Sequence, residues 1–383
     1  MDTVYLQVAA LELSLGRFRL RNIDLSCPRG ACHVLLGPTG SGKSTLMKCL
    51  LGFHRPDKGT IYLDGRDISG QRPEDRRMGY VPQNYSLFPH LDVEKNIRFG
   101  LQALGRDPAG ADRIVSRLCG MLKIDHLRRR RVRNLSGGER QKVALARALA
   151  IAPEIILLDE PFSSIDEGAK RNLWIEMKNI INEIGITAFH ITHNLEEAYS
   201  MGEYMSVLLD GEIHQTGSRE EIFERPATRG VARYLNYRNL FTGTARPHPE
   251  GTTIDTGDFT VFVRDDIPAG SRVDICIRQQ DIKILKPGQP VREPLRHNVF
   301  SGRIVAAFTL PEYCLIYFRI HGSRREYDFE IKLPPYLRER HDLYTGKDAA
   351  VAFWEPNIIR FLIDPENRSA TSRGREVNRP VDF

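Results

Sequence analysis

The chain has 383 residues, of which 41% are hydrophobic and 27% are charged, so it is long enough for two or three domains with apolar cores. Its formal net charge of +6 would suit a nucleic acid or an anionic membrane surface, but both signs of charge are mixed along the chain, which favours an ordinary solvated surface. No apolar run reaches the roughly eighteen residues that span a bilayer, no basic and apolar leader is visible, and the six cysteines form no C-x-x-C pair. We therefore expect no cysteine metal site, and we expect any membrane role to come through a partner.

The first segment of the chain is strand-like. Residues 4–8 form a short apolar run, and residues 18–25 alternate between apolar and polar side chains. This pattern predicts an antiparallel sheet next to the motif that follows.

A glycine-rich loop comes after the apolar run at residues 33–36 and before a predicted helix at residues 43–51. It has the form G-x-x-x-x-G-K-[ST], in which glycines with positive φ let backbone N–H groups converge on an anion. Lys43 supplies a positive charge, Ser44 offers a hydroxyl to Mg²⁺, and the N-terminus of the helix faces the same anion. We predict a phosphate-binding loop made of Gly37, Pro38, Thr39, Gly40, Ser41, Gly42, Lys43, Ser44 and Thr45.

The next segment alternates between strands and less regular stretches. Residues 60–63 read as a strand that runs into an Asp-Gly turn, and residues 78–81 as a strand that ends just before Gln83. Residues 84–101 are rich in proline, aromatic and apolar side chains but have no clear period, whereas residues 113–122 have helical spacing. Gln83 therefore stands at a strand end, where its amide can reach both Mg²⁺ and an attacking water.

A second candidate anion site follows. Ser136 and Glu139 have the spacing of a capping box ahead of a helix that extends to about residue 150. The N–H groups of Gly137 and Gly138 open this helix and can bind an anion. Because the chain has a single phosphate-binding loop, this second site suggests that two chains act together.

Acidic residues end a buried strand at residues 155–158. One carboxylate, Asp159, can hold Mg²⁺ through water, and the next, Glu160, can orient and polarise the attacking water. A helix at residues 170–184 and a strand at residues 187–191 follow, and the strand delivers His193 to its carboxyl end. There His193 could hydrogen-bond a γ-phosphate and Glu160, although a lone histidine at a strand end is more often a structural polar residue. Strands alternating with helices, with polar residues at the strand ends, predict a doubly wound α/β domain.

Together these motifs resemble the nucleotide-binding subunits of ATP-binding cassette (ABC) transporters over residues 3–234. The resemblance includes the sequence Leu-Ser-Gly-Gly-Glu at residues 135–139 and Ser-Ser-Ile-Asp at residues 163–166. It implies an α/β P-loop NTPase of ABC type at residues 1–235, with an antiparallel β subdomain and a helical subdomain at about residues 84–150. The cofactors implied are ATP and Mg²⁺.

The resemblance also implies a role for each site residue. In a head-to-tail homodimer, Ser136, Gly137 and Gly138 of one subunit would close over the ATP held by the other, and Asp166 would make a contact across the dimer. The catalytic residues would be Glu160 as general base, His193 as γ-phosphate contact and Gln83; the Mg²⁺ ligands would be Ser44, Gln83 and Asp159.

Two features depart from the family or are left open. Relatives carry an adenine-stacking aromatic where this chain has Leu15, so stacking would fall to Tyr5 or Phe18, either of which could equally be a core residue. The arginine run at residues 128–131 could bind phosphates or lipid headgroups, although a solvated loop is the simpler interpretation.

The remaining sequence favours an importer. The segment from Gln83 to Leu91 resembles the stretch with which importer ATPases contact a cytoplasmic helix of the permease. After residue 235 the composition shifts to short strands with Gly and Pro turns, and Asn239–Gly243 recurs as Asn298–Gly302. We expect a small all-β, barrel-like accessory domain at residues 236–364 with two related halves (239–288 and 298–364), and a disordered tail at residues 365–383.

The expected function is therefore that of an ATPase that powers import of a small solute from the cytoplasmic face of the membrane. Its partners would be a second copy, permease subunits and, indirectly, an extracytoplasmic solute-binding protein, with no nucleic acid. The motifs and the paired β units most resemble those of the molybdate/tungstate group, so we expect that substrate, with iron, sulfate, polyamine and sugar as alternatives. The other classes are a soluble ABC ATPase that acts on nucleic acid or ribosomes and an inactive scaffold. Members of the first class usually carry two cassettes or a long coiled-coil insertion, and neither is visible here. The presence of Lys43, Asp159, Glu160 and His193 together argues against the scaffold.

Overall fold

The structure is a computed structural model that describes residues 4–286 and 290–362. Its contacts divide the chain into two units, residues 1–224 and 225–383, whereas the sequence analysis placed the boundary after residue 235. In the described ranges, no helix is both long enough and apolar enough to cross a membrane.

The strands of the first unit form two sheets. One is antiparallel with the strand order β2-β1-β4-β5, and the other is mainly parallel with the order β10-β9-β3-β8-β7-β6. The strands are β1 (Val4–Leu15), β2 (Phe18–Pro28), β3 (Cys32–Leu36), β4 (Lys58–Leu63), β5 (Arg66–Asp67), β6 (Met78–Val81), β7 (Ile155–Asp159), β8 (Thr187–Thr192), β9 (Tyr204–Leu209) and β10 (Glu212–Ser218). The antiparallel sheet predicted at the start of the chain is thus present, with β1 paired to β2.

Three of the seven described helices of the first unit lie where the sequence analysis predicted no helix. The seven helices are α1 (Lys43–Leu50), α2 (Val93–Ala103), α3 (Pro108–Met121), α4 (Gly137–Ala150), α5 (Glu167–Ile184), α6 (Leu195–Met201) and α7 (Arg219–Glu224). Helix α2 lies in the segment without a clear period. It is capped by Asp92, and its buried side carries the amide of Asn96 between Val93 and Ile97, so the apolar stripe is interrupted.

The parallel sheet places the chemistry of this unit at one edge. Strands β3, β8 and β7 lie side by side, and β3 and β8 are buried along their whole length. Leu36 pairs with Thr192, and Asp159 pairs with Ile191, so the carboxyl ends of the three strands are level. Because parallel strands share the direction of their carboxyl ends, the residues that follow them meet at the same edge.

The second unit begins with a short helix and is otherwise mostly β-structure. Its elements are α8 (Arg229–Tyr234), β11 (Asn239–His248), β12 (Gly251–Asp255), β13 (Thr260–Val263), β14 (Arg272–Ile277), β15 (Lys283–Ile284), β16 (Val299–Thr309), β17 (Cys314–Ile320), β18 (Phe329–Leu333), α9 (Pro335–Arg340), β19 (Asp348–Ala352) and β20 (Ile359–Leu362). The two sheets are antiparallel, in the orders β13-β12-β11-β14-β20 and β15-β19-β16-β17-β18, and their apolar faces share one core.

The repeat in the sequence corresponds to these two sheets. The repeated pentapeptides lie at the starts of β11 and β16, the central strands of the two sheets. The halves are not separate, however, because each ends in a strand that belongs to the other sheet: β15 pairs with β19, and β20 pairs with β14. Closure into a barrel stays a prediction, and the tail predicted at residues 365–383 lies outside the described residues.

Candidate functional site

The phosphate-binding loop connects β3 to α1. The Lys43 side chain folds back over the loop, where its Nζ donates hydrogen bonds to the carbonyl oxygens of Gly37 at 2.7 Å and Pro38 at 2.9 Å. Helix α1 has Gly42 as its N-cap, with no side-chain cap and no acidic residue in its first turn. In the described part of the chain no side chain caps its first N–H groups, and the positive end of the helix dipole faces the loop.

The conformation of the loop fits a bound phosphate. Gly42 has a φ of +109°, and a Cβ at this position would lie 2.5 Å from Cζ of Phe18. A Cβ at Gly37 would lie 2.3 Å from the carbonyl oxygen of Leu208. Within the described residues the buried hydroxyl of Ser41 has no hydrogen-bond partner. A tight backbone loop at a helix N-terminus, with an unpartnered hydroxyl, is the arrangement that an anion completes.

Asp159 stands at the end of β7 within the electrostatic reach of Lys43. The hydroxyl of Tyr80, in the neighbouring strand β6, donates to Oδ2 of Asp159 at 3.2 Å. Burial raises the pKa of the Asp159 carboxyl, while the bond from Tyr80 and the charge of Lys43 act in the opposite direction. A divalent cation bound to this carboxylate would favour its ionised form.

Glu160 is held by groups from two other strand ends. Its φ is +44°, and its N–H donates to the carbonyl oxygen of Ile191 at 3.0 Å. Oε1 of Glu160 lies 3.0 Å from Nδ1 of His193, and Nε2 of Gln83 donates to Oε2 at 3.4 Å. Glu160 thus contacts both of the other residues predicted to be catalytic, Gln83 and His193, at the edge of the sheet.

The other predicted residues lie apart from this group. Ser136 and Glu139 form the predicted capping box: the Glu139 N–H donates to Oγ of Ser136 at 3.3 Å, and the Ser136 N–H donates to the Glu139 carboxylate at 2.7 Å. Asp166 is exposed and is the N-cap of α5. In the described part of the chain neither residue bonds to the phosphate-binding loop, so their role across a dimer stays a prediction.

The candidates for adenine stacking differ in position. Leu15 is 40% exposed. Tyr5 is a buried core residue whose ring lies 4.0 Å from the guanidinium of Arg29, whereas Phe18 is only partly buried and lies against Gly42. Of the two aromatic residues proposed from the sequence, Phe18 is therefore the one beside the loop.

The segment from Gln83 to Leu91, which we call the glutamine loop, packs an aromatic side chain against an exposed one of helix α2. The Phe88 ring lies 4.3 Å from that of Phe99, whose side chain is 46% exposed. In the nearby arginine run, Arg128 bonds to Glu94 at 3.2 Å, while residues 129–131 are exposed. The six cysteines are buried and free, and no cluster of three or more His, Cys, Asp or Glu suitable for a metal occurs in the described ranges.

Sequence reasoning missed Tyr80 as a site residue. Its partner Asp159 lies two residues beyond Leu157, the residue that pairs with Tyr80 across the sheet. Only the strand register brings the two side chains together, and no local motif shows this register.

Comparison with known proteins agrees with the motifs. A family model described as ABC transporter matches residues 20–163. The molybdate/tungstate import ATP-binding protein WtpC of Thermococcus kodakarensis is 39% identical over 301 residues, 79% of this chain and 88% of that protein. The protein of the same name from Pyrococcus horikoshii is 40% identical over 299 residues, 78% of this chain and 84% of the relative. The spermidine/putrescine import ATP-binding protein PotA of Oleidesulfovibrio alaskensis is 37% identical over 298 residues, 75% and 79% of the two chains.

A solved structure agrees with the fold. The ADP conformation of MJ1267, described as an ATP-binding cassette of an ABC transporter, superposes with a TM-score of 0.51 at 25% identity and covers 60% of this chain and 99% of that one. The family and the ABC-type fold expected from the motifs are thus confirmed. The chain belongs to the ABC transporter family of ATP-binding proteins and is an ATPase.

Proposed function

We propose that this chain is the ATP-hydrolysing subunit of an ABC importer that takes up an oxyanion of the molybdate/tungstate type. The observation that carries the proposal is the meeting of Gln83, Glu160 and His193 at the sheet edge that also holds the phosphate-binding loop. Relatives named as molybdate/tungstate import proteins match most of this chain and support the choice of substrate. Relatives named for spermidine/putrescine and for sulfate/thiosulfate keep the alternatives open.

The residues at the site have complementary tasks. The loop amides and Lys43 bind the ATP phosphates, and Glu160 accepts the proton of the attacking water while His193 orients its carboxylate. Ser44, Gln83 and Asp159 are the residues that would hold Mg²⁺, which when bound offsets negative charge on the phosphates.

The subunit is proposed to work as a homodimer. Among the residues that the structure describes, Ser136, Gly137, Gly138 and Asp166 make no bond to the phosphate-binding loop of their own chain. Ser136 is exposed at the start of α4, where it is available to a second copy. Each site would then be completed by the partner's signature sequence, residues 135–139.

Contact with the membrane is proposed to run through the glutamine loop to the permease. The chain would lie at the cytoplasmic face, and the solute-binding protein would act only through the permease. The second unit would be a barrel-like accessory domain of the kind found in importer ATPases.

The test is reconstitution with permease and binding-protein subunits of the molybdate/tungstate import type from the same organism. In proteoliposomes, molybdate-loaded or tungstate-loaded binding protein is expected to stimulate ATP hydrolysis and to drive uptake of the oxyanion. Stimulation only by sulfate or spermidine would keep the importer but reject the substrate. No stimulation by the membrane partners, together with stimulation by RNA or DNA, would reject the importer itself.

A further inference from the structure

The backbone of the glutamine loop is strained just after Gln83. Tyr85 and Ser86 have φ angles of +62° and +41°, so two consecutive residues other than glycine occupy the left-handed region. Such a backbone persists only where its surroundings hold it. The contacts of these two residues therefore show to which element the loop is fixed.

Arg147, near the end of α4, makes these contacts. Its Nη1 donates to the carbonyl oxygen of Ser86 at 2.6 Å, and its Nη2 donates to that of Tyr85 at 2.8 Å. The guanidinium also lies 5.4 Å from the centre of the Phe88 ring. A planar fork with two N–H groups matches two adjacent carbonyls in a way that a lysine ammonium does not.

The partners of Arg147 set it apart from an ordinary surface arginine. Among the residues that the structure describes, it pairs with no carboxylate, and burial lowers the pKa of its guanidinium. A partly buried cation costs free energy unless its hydrogen bonds are satisfied. The loop carbonyls supply that compensation, so the arginine and the strained loop stabilise each other.

A second attachment holds the far end of the loop. Asn96, fully buried in α2, accepts from the N–H of Phe88 at 2.8 Å and donates to its carbonyl oxygen at 3.2 Å. Helices α2 and α4 are packed against each other. The loop is thus fixed to two helices, and residues 82–84 remain as its link to strand β6.

We propose that Arg147 is a positioning residue that couples the glutamine loop to the signature sequence, because its guanidinium ties the loop to the same helix that begins after Ser136. Helix α4 has 14 residues and so spans about 21 Å. Movement of the loop by a membrane partner would therefore be passed along α4 to Ser136 and to the ATP of the second subunit. This inference rests on the proposed function, since it needs a permease that moves the loop.

The test compares Arg147→Met with wild type in the complete transporter. The substitution keeps an apolar side chain beside Phe88 but removes both hydrogen bonds. ATP hydrolysis by the isolated subunit is expected to stay within about twofold, while stimulation by permease and loaded binding protein falls about tenfold, the size of effect that loss of a charged hydrogen bond produces. Arg147→Lys, which keeps the charge and one donor group, is expected to restore part of the stimulation. Stimulation equal to wild type in Arg147→Met would overturn the proposal.

A double variant separates coupling from simple support of the strained backbone. Ser86→Gly relieves the left-handed position, so if Arg147 only stabilises the loop, the Arg147→Met/Ser86→Gly protein should regain full stimulation, and that result would overturn the coupling role. Continued loss of stimulation supports it. If Arg147→Met does not fold, Arg147→Lys carries the comparison, and unchanged stimulation in that variant counts against the proposal.

Failure of the proposed function gives a different result. In that case the wild-type subunit is not stimulated by the permease at all. Stimulated wild type together with an equally stimulated Arg147→Met removes only the coupling role.

Discussion

Glu160 shows how one residue depends on the surrounding sheet for its position. Its positive φ turns the chain at the end of β7, and the bond from its N–H to Ile191 ties that turn to β8. The carboxylate is then held between Gln83 and His193, which come from the ends of two other strands. A carboxylate fixed in this way can accept a proton without first reorienting, as a general base requires.

We expect Glu160→Gln to bind ATP with nearly wild-type affinity but to hydrolyse it about a hundredfold to ten-thousandfold more slowly, because an amide cannot accept the proton. With ATP unhydrolysed, the proposed homodimer should persist, which size-exclusion chromatography with light scattering would detect. The matched control is Glu154→Gln, which lies just before β7 at its other end and pairs with Arg66 and Arg77. Wild-type turnover in Glu160→Gln would remove Glu160 from the role of base.

The residues of this site differ in how far the sequence could predict them. Lys43, Asp159 and Glu160 were predictable because each lies in a contiguous motif next to an apolar strand. Tyr80 and Arg147 were not, because their partners are distant in sequence and are reached only through strand register or helix packing. Motifs that bind a ligand are local, whereas the groups that hold those motifs in place come from other elements.

At the scale of the element, strand β3 has a polar residue, His33, buried in the core. His33 is fully buried, its ring stacks on Phe189 at 5.6 Å, and its Nε2 lies 2.9 Å from Oγ of Ser206. Ser206 in turn bonds to Thr216 at 2.7 Å, so a line of polar groups joins β3, β9 and β10. Burial lowers the pKa of His33 to about 4 from an ordinary value of 6.5.

This shift predicts a pH dependence of stability. The pKa of His33 is lower in the folded than in the unfolded protein, so the unfolded state binds a proton more readily as the pH falls. The stability that goes with the neutral, buried His33 is therefore fully present above pH 6.5 and is lost as the pH falls towards about 4. The loss amounts to at most about 3 kcal/mol. Between pH 6.5 and about 4, the urea midpoint for unfolding of the first unit should therefore fall less steeply in His33→Leu than in wild type.

The control for this prediction is His126→Leu, which removes an exposed histidine of the same unit. It should leave the pH dependence of the urea midpoint unchanged. A constant offset between His33→Leu and wild type from pH 7.5 to 4.5 would contradict the assignment.

Helix α1 shows what the sequence could not predict at this scale. It begins at Lys43 and ends at Leu50, close to the helix predicted at residues 43–51 after the phosphate-binding loop. The buried Arg76 that caps it, donating to the carbonyl oxygens of Cys49 and Leu50 at 2.7 Å each, had no sequence signal. Its partners are more than 25 residues away, so only the folded chain brings them together.

At the scale of the whole molecule, the two halves of the second unit are joined by buried asparagine side chains as well as by exchanged strands. Asn298, next to β16, bonds with the N–H of Phe262 at 2.8 Å and with its carbonyl oxygen at 3.0 Å. Asn239, its counterpart in the repeat, bonds in the same way to Glu330 at 2.8 and 2.9 Å. Phe262 and Glu330 lie in β13 and β18, the outer strands of the two sheets, so each half covers an edge of the other.

The sequence predicted the repeat but not this interlocking. The repeated Asn and Gly residues were visible as a pattern, because the two halves need the same residues at the same places. Asn239 and Asn298 each bond to the other half, and only the folded structure shows this. The local sequence pattern of β15 and β20 does not show which of the two sheets each strand joins.

We therefore expect the two halves of this unit to unfold together. Asn298→Ala leaves the buried N–H and carbonyl of Phe262 without their partners, which should lower the stability of the unit by about 2 to 4 kcal/mol. Asn239→Ala should have a similar effect, because Asn239 is equally buried and its contacts are equivalent. In hydrogen exchange of the full chain, either variant should speed exchange in β11–β14 and in β16–β19 alike.

The control is Ser301→Ala on the exposed face of β16, which should leave exchange as in wild type. If Asn298→Ala accelerates exchange in one half while the other keeps its protection, the halves fold independently despite their exchanged strands.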